Sequence, residues 1–471
     1  MEQLGIVISL FLLMYIAYRG FSVILFAPIL ALLAAAMQGM HIMPGYTELF
    51  MERAAAYFKT FFPVFLLGAV LGKVMEDTGM ARSIAVTIVD KLGAHRAIMA
   101  IVLAATVLTY GGVSLFVVVF AVYPLAAAIF KEADIPKRLI PGCIALGAFG
   151  YTMTMLPGTP QIQNIIPTSF YGTTTFAAPI IGLLAALMQF SLGMLWLERR
   201  RKAAQAAGEG YGNHTLHEPT AAQIAEAKDG NYPSFWVSIL PLVLVIVVNF
   251  YFTTVDWNNS ILAPFQKMGL KLIAPNTKAV VGIWALIIGL VVGLGTAVLL
   301  GFKYIPKSGS IQKSLNAGAI GSLLAIMNTA SEVGYGNVIS ALPGFKTIAN
   351  FLLEIKIGGT PLISEFLTVN ILAGVTGSAS GGMSIALAIM AQEWLNWANQ
   401  VGVSPEMLHR VASMASGGMD TLPHNGAVIT LLAVCGLTHI ESYKDICVTS
   451  LIIPFAVGVV MILLYQVTGI L

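Results

Sequence analysis

Read by the spacing of apolar and polar positions, the chain is a series of long apolar runs joined by short polar turns. A helix needs about 20 apolar residues to cross the roughly 30 Å hydrocarbon core of a bilayer. Runs of that kind predict spans over about 4–18, 22–39, 61–79, 177–197, 234–252, 279–300, 314–330 and 446–469. Two amphipathic pieces are predicted, one near 81–93 with Arg82, Asp90 and Lys91, the other over 334–355. The stretch from Ala97 to Phe130 is too long for one ordinary span and is interrupted by Tyr110-Gly111-Gly112. It predicts a re-entrant helical hairpin over about 97–130, with its tip inside the membrane. A second hairpin is predicted over about 362–399, its tip at Thr376-Gly377-Ser378-Ala379-Ser380-Gly381-Gly382. Each hairpin is followed by an apolar helix that cannot run unbroken, because proline removes a backbone donor and glycine lowers helix stability. Leu156-Pro157-Gly158-Thr159-Pro160 interrupts the first, over about 138–171. Gly417-Gly418-Met419-Asp420-Thr421-Leu422-Pro423-His424-Asn425-Gly426 interrupts the second, over about 405–437.

The two hairpin-and-break units share landmarks in the same order. Gly111-Gly112-Val113-Ser114 matches Gly381-Gly382-Met383-Ser384, and Leu156-Pro157 matches Leu422-Pro423. Between them lie the connectors Asp134-Ile135-Pro136-Lys137-Arg138 and Val403-Ser404-Pro405-Glu406; upstream, Glu76-Asp77-Thr78-Gly79 has its counterpart in Ser331-Glu332-Val333-Gly334. Four landmarks at nearly constant offset point to an internal duplication. The division that follows is a first repeat over 1–197, a linker over 198–233 and a second repeat over 234–471. Arg199-Arg200-Arg201-Lys202 places the linker in the cytoplasm. The same count of charges puts the ends of the two hairpins on opposite sides, which makes the repeats inverted.

Composition narrows the class. The chain has 471 residues, 57% hydrophobic and 10% charged, where a soluble domain carries about 25% charged residues. The apolar runs are continuous rather than alternating, which excludes a β-barrel. The expectation is an all-α polytopic membrane protein. The net charge of +3 and the single basic block at 199–202 imply no nucleic acid. Cys143, Cys435 and Cys447 lack metal-ligand spacing and read as small buried hydrophobes, and His214 and His217 read as solvated linker residues. Met1-Glu2-Gln3 leads straight into apolar sequence, so the first span reads as retained rather than as a signal peptide. Nothing matches a phosphate-binding G-x-x-x-x-G-K-[ST] loop, and no metal or cofactor is expected.

The candidate chemistry lies at the tips and breaks. Helix N-termini exposed there present unpaired N–H groups and a partial positive charge, which suit an anion without any arginine having to enter the membrane. Gly111, Gly112, Gly381 and Gly382 permit close backbone approach, and Ser114, Ser378, Ser380 and Ser384 are candidate donors. Thr159, Gln161, Thr421 and Asn425 add donors and acceptors for a polar, uncharged part of the substrate. Together they suit a small hydroxylated organic anion. Asp420 and His424 are the candidate proton-coupling pair. Against these stand plainer readings. Gly-Gly-x-Ser also serves close helix packing, Glu76 and Glu332 read as interfacial charges or caps, and Glu365 and Glu393 read as solvated. A membrane-embedded enzyme with Ser378 or Ser384 as nucleophile, and a channel, are the rival classes.

Ser380-Gly381-Gly382-Met383-Ser384, followed by Ala415-Ser416-Gly417-Gly418-Met419-Asp420-Thr421-Leu422-Pro423-His424-Asn425-Gly426-Ala427-Val428-Ile429, resembles the gluconate permease family of proton symporters, within the ion transporter superfamily. Its nearest likeness is to a branch assigned to 3-hydroxybutyrate and related short hydroxy acids. The first break departs from the gluconate branch, reading Leu156-Pro157-Gly158-Thr159-Pro160 where that branch has Pro-Pro-His-Pro-Gly. The resemblance implies a multi-pass protein of the bacterial inner membrane, a homodimer, and an elevator-type movement of hairpins and broken helices against a scaffold. The expected activity is symport of a small hydroxy-monocarboxylate with protons, sodium coupling being the alternative.

The charge count generates a topology prediction. A cysteine introduced by Asn258→Cys is expected to react with an impermeant thiol reagent from outside, and one introduced by Gly210→Cys is not. The reverse labelling pattern overturns the orientation.

Overall fold

In lipid, backbone donors and acceptors must be paired within the protein, and a helix pairs them within one run. A computed structural model describes residues 2–471 except 20, 114, 215, 217, 221–223, 226–229, 271, 273–275, 306–309, 346, 348–353 and 355–356. The described elements are all helical. Helices α1 (Glu2–Tyr18) and α2 (Val23–Met37) lead into a long α3 (Ile42–Asp77), which contains a π turn over Gly45–Phe50. The amphipathic α4 (Met80–Leu92) meets the following helical segment, Ala94–Tyr110, at a bend of 100°. Helices α5 (Ala97–Tyr110) and α6 (Leu115–Glu132) form the first hairpin. The first broken helix comprises α7 (Ile140–Ala148), a turn over Tyr151–Thr154 and α8 (Ile162–Tyr171).

After α9 (Pro179–Ala206) come α10 (Phe235–Thr254), α11 (Val281–Gly301) and α12 (Ile311–Ala341). The second hairpin is α13 (Leu362–Thr376) and α14 (Ala379–Val401). The second broken helix is α15 (Pro405–Ser416) and α16 (Gly426–Cys435), and α17 (His439–Thr468) ends the fold. Among the described residues, five helices, α3, α9, α10, α11 and α17, are long and apolar enough to cross a membrane, and a sixth crossing is available if the bent α4–α5 pair counts as one.

Several boundaries differ from the sequence expectation. Helix α3 begins at Ile42 rather than near 61, because Glu48, Glu52, Arg53 and Lys59 lie on exposed positions, where charge does not interrupt a helix. The expected span over 314–330 and amphipathic piece over 334–355 are one helix as far as Ala341; beyond it, much of 346–356 lies outside the described residues. Helix α9 carries Arg199, Arg200, Arg201 and Lys202 on its last turns, so the linker begins after Ala206 rather than at 198. Helix α17 starts at His439, through a capping box of Thr438 and Glu441, rather than near 446.

Packing divides the helices into two groups. Helix α12 lies along α3 and touches α2, while α10 lies along α11, which in turn packs on α3. Small residues permit these close approaches. A Cβ on Gly318 would sit 2.6 Å from the Cα of Val70, and one on Gly289 would sit 2.7 Å from the carbonyl oxygen of Val245. The second group gathers the hairpins, the broken helices, α9 and α17, with α8 against α14 and α15. The main seam between the groups is the contact of α14 with α12.

The polar end of the second group is clamped by charge. Asp445 is fully buried and accepts from Arg200 Nε at 2.9 Å, Arg138 Nη1 at 3.5 Å and Trp196 Nε1 at 3.0 Å. Arg138 also donates to both carboxylate oxygens of Glu209, at 2.6 and 2.7 Å, and the buried Lys137 pairs with Glu218 at 2.6 Å. The start of the linker is therefore docked rather than hanging free. The Arg138 hydrogen bonds hold Glu209 below the usual carboxylate range. A depressed folded-state value stabilises above the unfolded one, so this clamp contributes at neutral pH and is lost only as the pH falls below the carboxylate range.

Asp445→Ala leaves two arginines without their shared buried acceptor. It is expected to cost roughly 2 kcal/mol, because both guanidinium groups retain partial access to water. Thermal unfolding in detergent checks this, with Glu198→Ala, which loses only a local pair with Arg201, as the near-neutral control.

Candidate functional site

Each hairpin tip is fastened to the break of its own half. In the first half, Gln161 Nε2 donates to the carbonyl of Thr109 at 2.7 Å, and Tyr110 Oη donates to the carbonyl of Pro157 at 2.8 Å. Gly112 adopts φ +92°, and a Cβ there would lie 3.1 Å from the ring of Pro160. In the second half, Asn425 Nδ2 donates to the carbonyl of Gly377 at 2.8 Å, and a Cβ on Gly377 would lie 2.9 Å from the ring of His424. Gly377 ends α13 at φ +64°, a conformation glycine adopts without steric cost.

The two breaks are then joined through α15. Arg410, fully buried, donates to the carbonyl of Ala177 from Nε at 3.1 Å and Nη2 at 2.6 Å. Its Nη1 reaches Asn164 Oδ1 at 3.1 Å and the carbonyl of Thr154 at 3.4 Å. Asn164 Nδ2 donates in turn to the carbonyls of Thr175 at 2.7 Å and Thr159 at 3.1 Å. Ser413 Oγ donates to the carbonyl of Thr154 at 2.8 Å, and His409 Nδ1 lies 2.6 Å from Thr173 Oγ1. A broken helix in lipid leaves carbonyls that only protein groups can satisfy. Arg410 and Asn164 supply those donors for the first break. No ion pair among the described residues includes Arg410, so its charge has no carboxylate counterpart within 4 Å.

The expected site residues divide into those engaged by the protein and those left over. Ser378 is the N-cap of α14, accepting from the Gly381 N–H at 3.0 Å. Asn425 is the N-cap of α16, accepting from the N–H groups of Ala427 at 2.6 Å and Val428 at 3.0 Å. Thr421 Oγ1 is satisfied by the carbonyls of Gly418 and Ser450, both at 3.1 Å. By contrast, α8 begins at Gln161 without a side-chain cap. Thr159 Oγ1, Thr109 Oγ1 and Asp420 Oδ1 are buried without a protein partner. Open helix donors and unsatisfied oxygens therefore collect at the first break, and an unpaired carboxylate oxygen at the second.

The glycine pairs do different work in the two halves. The missing Cβ of Gly111 faces the side chain of Leu242 on α10 at 2.3 Å, whereas that of Gly381 faces the carboxylate of Glu332 on α12. Gly382 packs on the backbone of Ala373, closing the two arms of its hairpin. Ser380 and Ser384 belong to this same seam with α12 and α3: Ser380 Oγ lies 3.5 Å from Thr329 Oγ1, and Ser384 neighbours Tyr57. The structure thus separates Ser380, Gly381 and Ser384 from the break that carries Asp420 and His424. Ser114 lies outside the described residues.

A family model for the GntP family of permeases matches residues 1–468. The chain belongs to the GntP permease family. It is 50% identical over 476 residues to the Bacillus subtilis transporter YxjC, described only as an uncharacterized transporter, with all of both chains covered. It is 23% identical to the gluconate permease of Zymomonas mobilis over 81% of this chain and 79% of that one. Its fold resembles the YdaH transporter of Alcanivorax borkumensis, with a TM-score of 0.50 and 15% identity over 90% of this chain and 87% of that one. Family and apolar helices together make it a membrane protein and a transporter.

Sequence reading of this permease missed four groups. Arg410 and His409 are fully buried within the second group, although the sequence reading had an anion held there without need of an arginine; two adjacent ionisable residues between apolar neighbours were the available signal. Glu332 is 3% exposed, in mid-helix, and is neither an interfacial charge nor a cap. Glu365 is fully buried and accepts from Tyr171 Oη rather than being solvated. Asn164 and Asn370, buried amides that bond the two breaks, gave no sequence signal of their own.

Two substitutions separate scaffolding from binding at the first break. Asn164→Ala leaves buried carbonyls and the guanidinium short of partners and is expected to cost on the order of 3 kcal/mol in thermal unfolding. Thr159→Val removes a hydroxyl with no protein partner, so stability is expected to hold or rise, and a small organic anion that raises the wild type's unfolding temperature is expected to raise the variant's less. Unchanged binding by Thr159→Val removes this residue from the site.

Proposed function

We propose that this permease is a secondary carrier that moves a small hydroxylated monocarboxylate together with protons across the bacterial inner membrane. The observation that supports an anionic cargo is Arg410, a fully buried guanidinium without an ion-pair partner among the described residues, bonded to the backbone that forms the first break. A positive charge in that position, beside the uncapped start of α8, lowers the cost of bringing a carboxylate into the membrane interior. Thr109 and Thr159 hydroxyls, without protein partners, suit the hydroxyl groups of such a substrate. A gluconate permease among the relatives agrees with this class of cargo.

In this reading the two hairpin-and-break units are inverted repeats. The hairpins, broken helices, α9 and α17 form the moving body, and α1 to α3 with α10 to α12 form the scaffold of a homodimer. Asp420 and His424 carry the coupling protons at the second break. Asp420 is buried and His424 is half-buried beside the hairpin tip, so a change of charge at either is felt where the tip and break meet. With no nucleotide-binding loop in the sequence, a proton gradient supplies the energy, and sodium is the alternative driver.

Uptake by proteoliposomes tests this directly. Gluconate or 3-hydroxybutyrate is expected to accumulate under an imposed pH gradient without sodium, and accumulation only with sodium overturns proton coupling. His424→Gln is expected to keep exchange between preloaded and external substrate and to lose proton-driven accumulation. If it still concentrates substrate, His424 is structural.

A further inference from the structure

Three buried oxygens without protein partners meet at the seam between the two groups of helices. Glu332 Oε2 on α12, Ser384 Oγ on α14 and Tyr57 Oη on α3 all lack one. They share one joint. Glu332 lies against Gly381, so closely that any Cβ at that position would overlap its carboxylate. Ser384 is one turn further along the same face of α14, and Tyr57 neighbours both Ser384 and Glu332. Ser380, with its Oγ 3.5 Å from Thr329 Oγ1, closes the other side. Buried polar atoms are paired in nearly all cases, so three unpaired at one joint call for a cause.

The position of Glu332 deepens the question. It lies about 14 Å along α12 from the helix end at Ala341, at 1.5 Å per residue, well inside the helix. Among the described residues no cation pairs with it, and the one titratable group beside it is Tyr57. From α14 it is faced by Gly381, which carries no charge. An ionised carboxylate in such a setting is strongly disfavoured, and taking up a proton removes that penalty. The corresponding contact in the first half shows that packing alone does not need the acid: Gly111 meets the apolar Leu242 in the same way that Gly381 meets Glu332.

We propose that Glu332 is a proton-binding residue of the carrier, distinct from the pair at the second break, and that its proton controls the packing of the second hairpin on α12. This rests on the carrier reading given above. With the proton bound, the neutral carboxyl packs dry against Gly381, with Tyr57 as its neighbour on α3. With the proton released, a bare charge faces the hairpin, and the joint is disfavoured unless it loosens to admit water. Proton binding is thereby tied to the main seam between the second hairpin and the scaffold.

Two measurements test this, one of them independent of any substrate. In pH-titrated infrared difference spectra of the substrate-free protein, a carbonyl stretch of a protonated carboxyl is expected to disappear at high pH, and Glu332→Gln is expected to lack that component. Spectra of wild type and Glu332→Gln that titrate identically overturn the proposal, as does a band removed by sodium chloride at fixed pH, which would make this a sodium site. In proteoliposomes, with whichever of gluconate and 3-hydroxybutyrate the wild type accumulates, Glu332→Gln mimics the proton-bound state. It is expected to retain exchange and lose proton-driven accumulation, and Glu332→Asp is expected to regain part of the accumulation. Accumulation by Glu332→Gln at the wild-type level overturns the proposal, and so does loss of exchange in Glu332→Gln that Glu332→Asp does not restore. Failure of the wild type to accumulate either probe counts against the carrier reading instead, and the infrared result then stands by itself.

Discussion

A break in a membrane helix leaves backbone donors and acceptors that lipid cannot satisfy, and the rest of this structure depends on how that debt is met. The first break is supplied by side chains from the other half of the chain: Arg410 and Ser413 on α15 reach carbonyls of Thr154 and Ala177. The second is supplied mainly from within its own half, with Asn425 capping α16 and holding Gly377, and Asn370 receiving the Met419 N–H at 3.3 Å. Because the donors to the first break come from α15, the two broken helices cannot separate without leaving buried carbonyls unpaired. They form one body, and hairpin tips latched to the breaks by Gln161 and Asn425 belong to it.

Much of this was legible in the sequence because it depends on residues with restricted backbone behaviour. Proline and glycine announce both breaks and both tips, and the repeated Gly-Gly-x-Ser and Leu-Pro pairs give their order. Hydropathy located most spans but misplaced α3 and α12, since charges on the exposed side of α3 and glycine, serine and asparagine along α12 lower the apolar signal without opposing a helix. What sequence could not give was depth. Glu332, Glu365 and Arg410 look like ordinary surface charges until the neighbouring helices are in place, because burial of a long polar side chain is set by what packs over it. The Gly-Gly-x-Ser motif illustrates the same limit: its recurrence was real, but Gly382 serves close packing of the hairpin arms and Gly381 serves the contact with Glu332.

The two halves share backbone design and differ in chemistry. The first break holds the uncapped start of α8 and the hydroxyls of Thr109 and Thr159, with a guanidinium behind them and no carboxylate in its own strand of sequence from Met155 to Ile162. The second holds Asp420 and His424, its helix start is already occupied by Asn425, and its hairpin rests on Glu332. In the proposed reading, attraction for negative charge lies at one break and the groups that take up protons lie at the other, both joined through α15. For a carrier, that arrangement makes the two cargoes compatible: a proton on the second half lowers the charge that an anion on the first half must otherwise carry through the membrane alone.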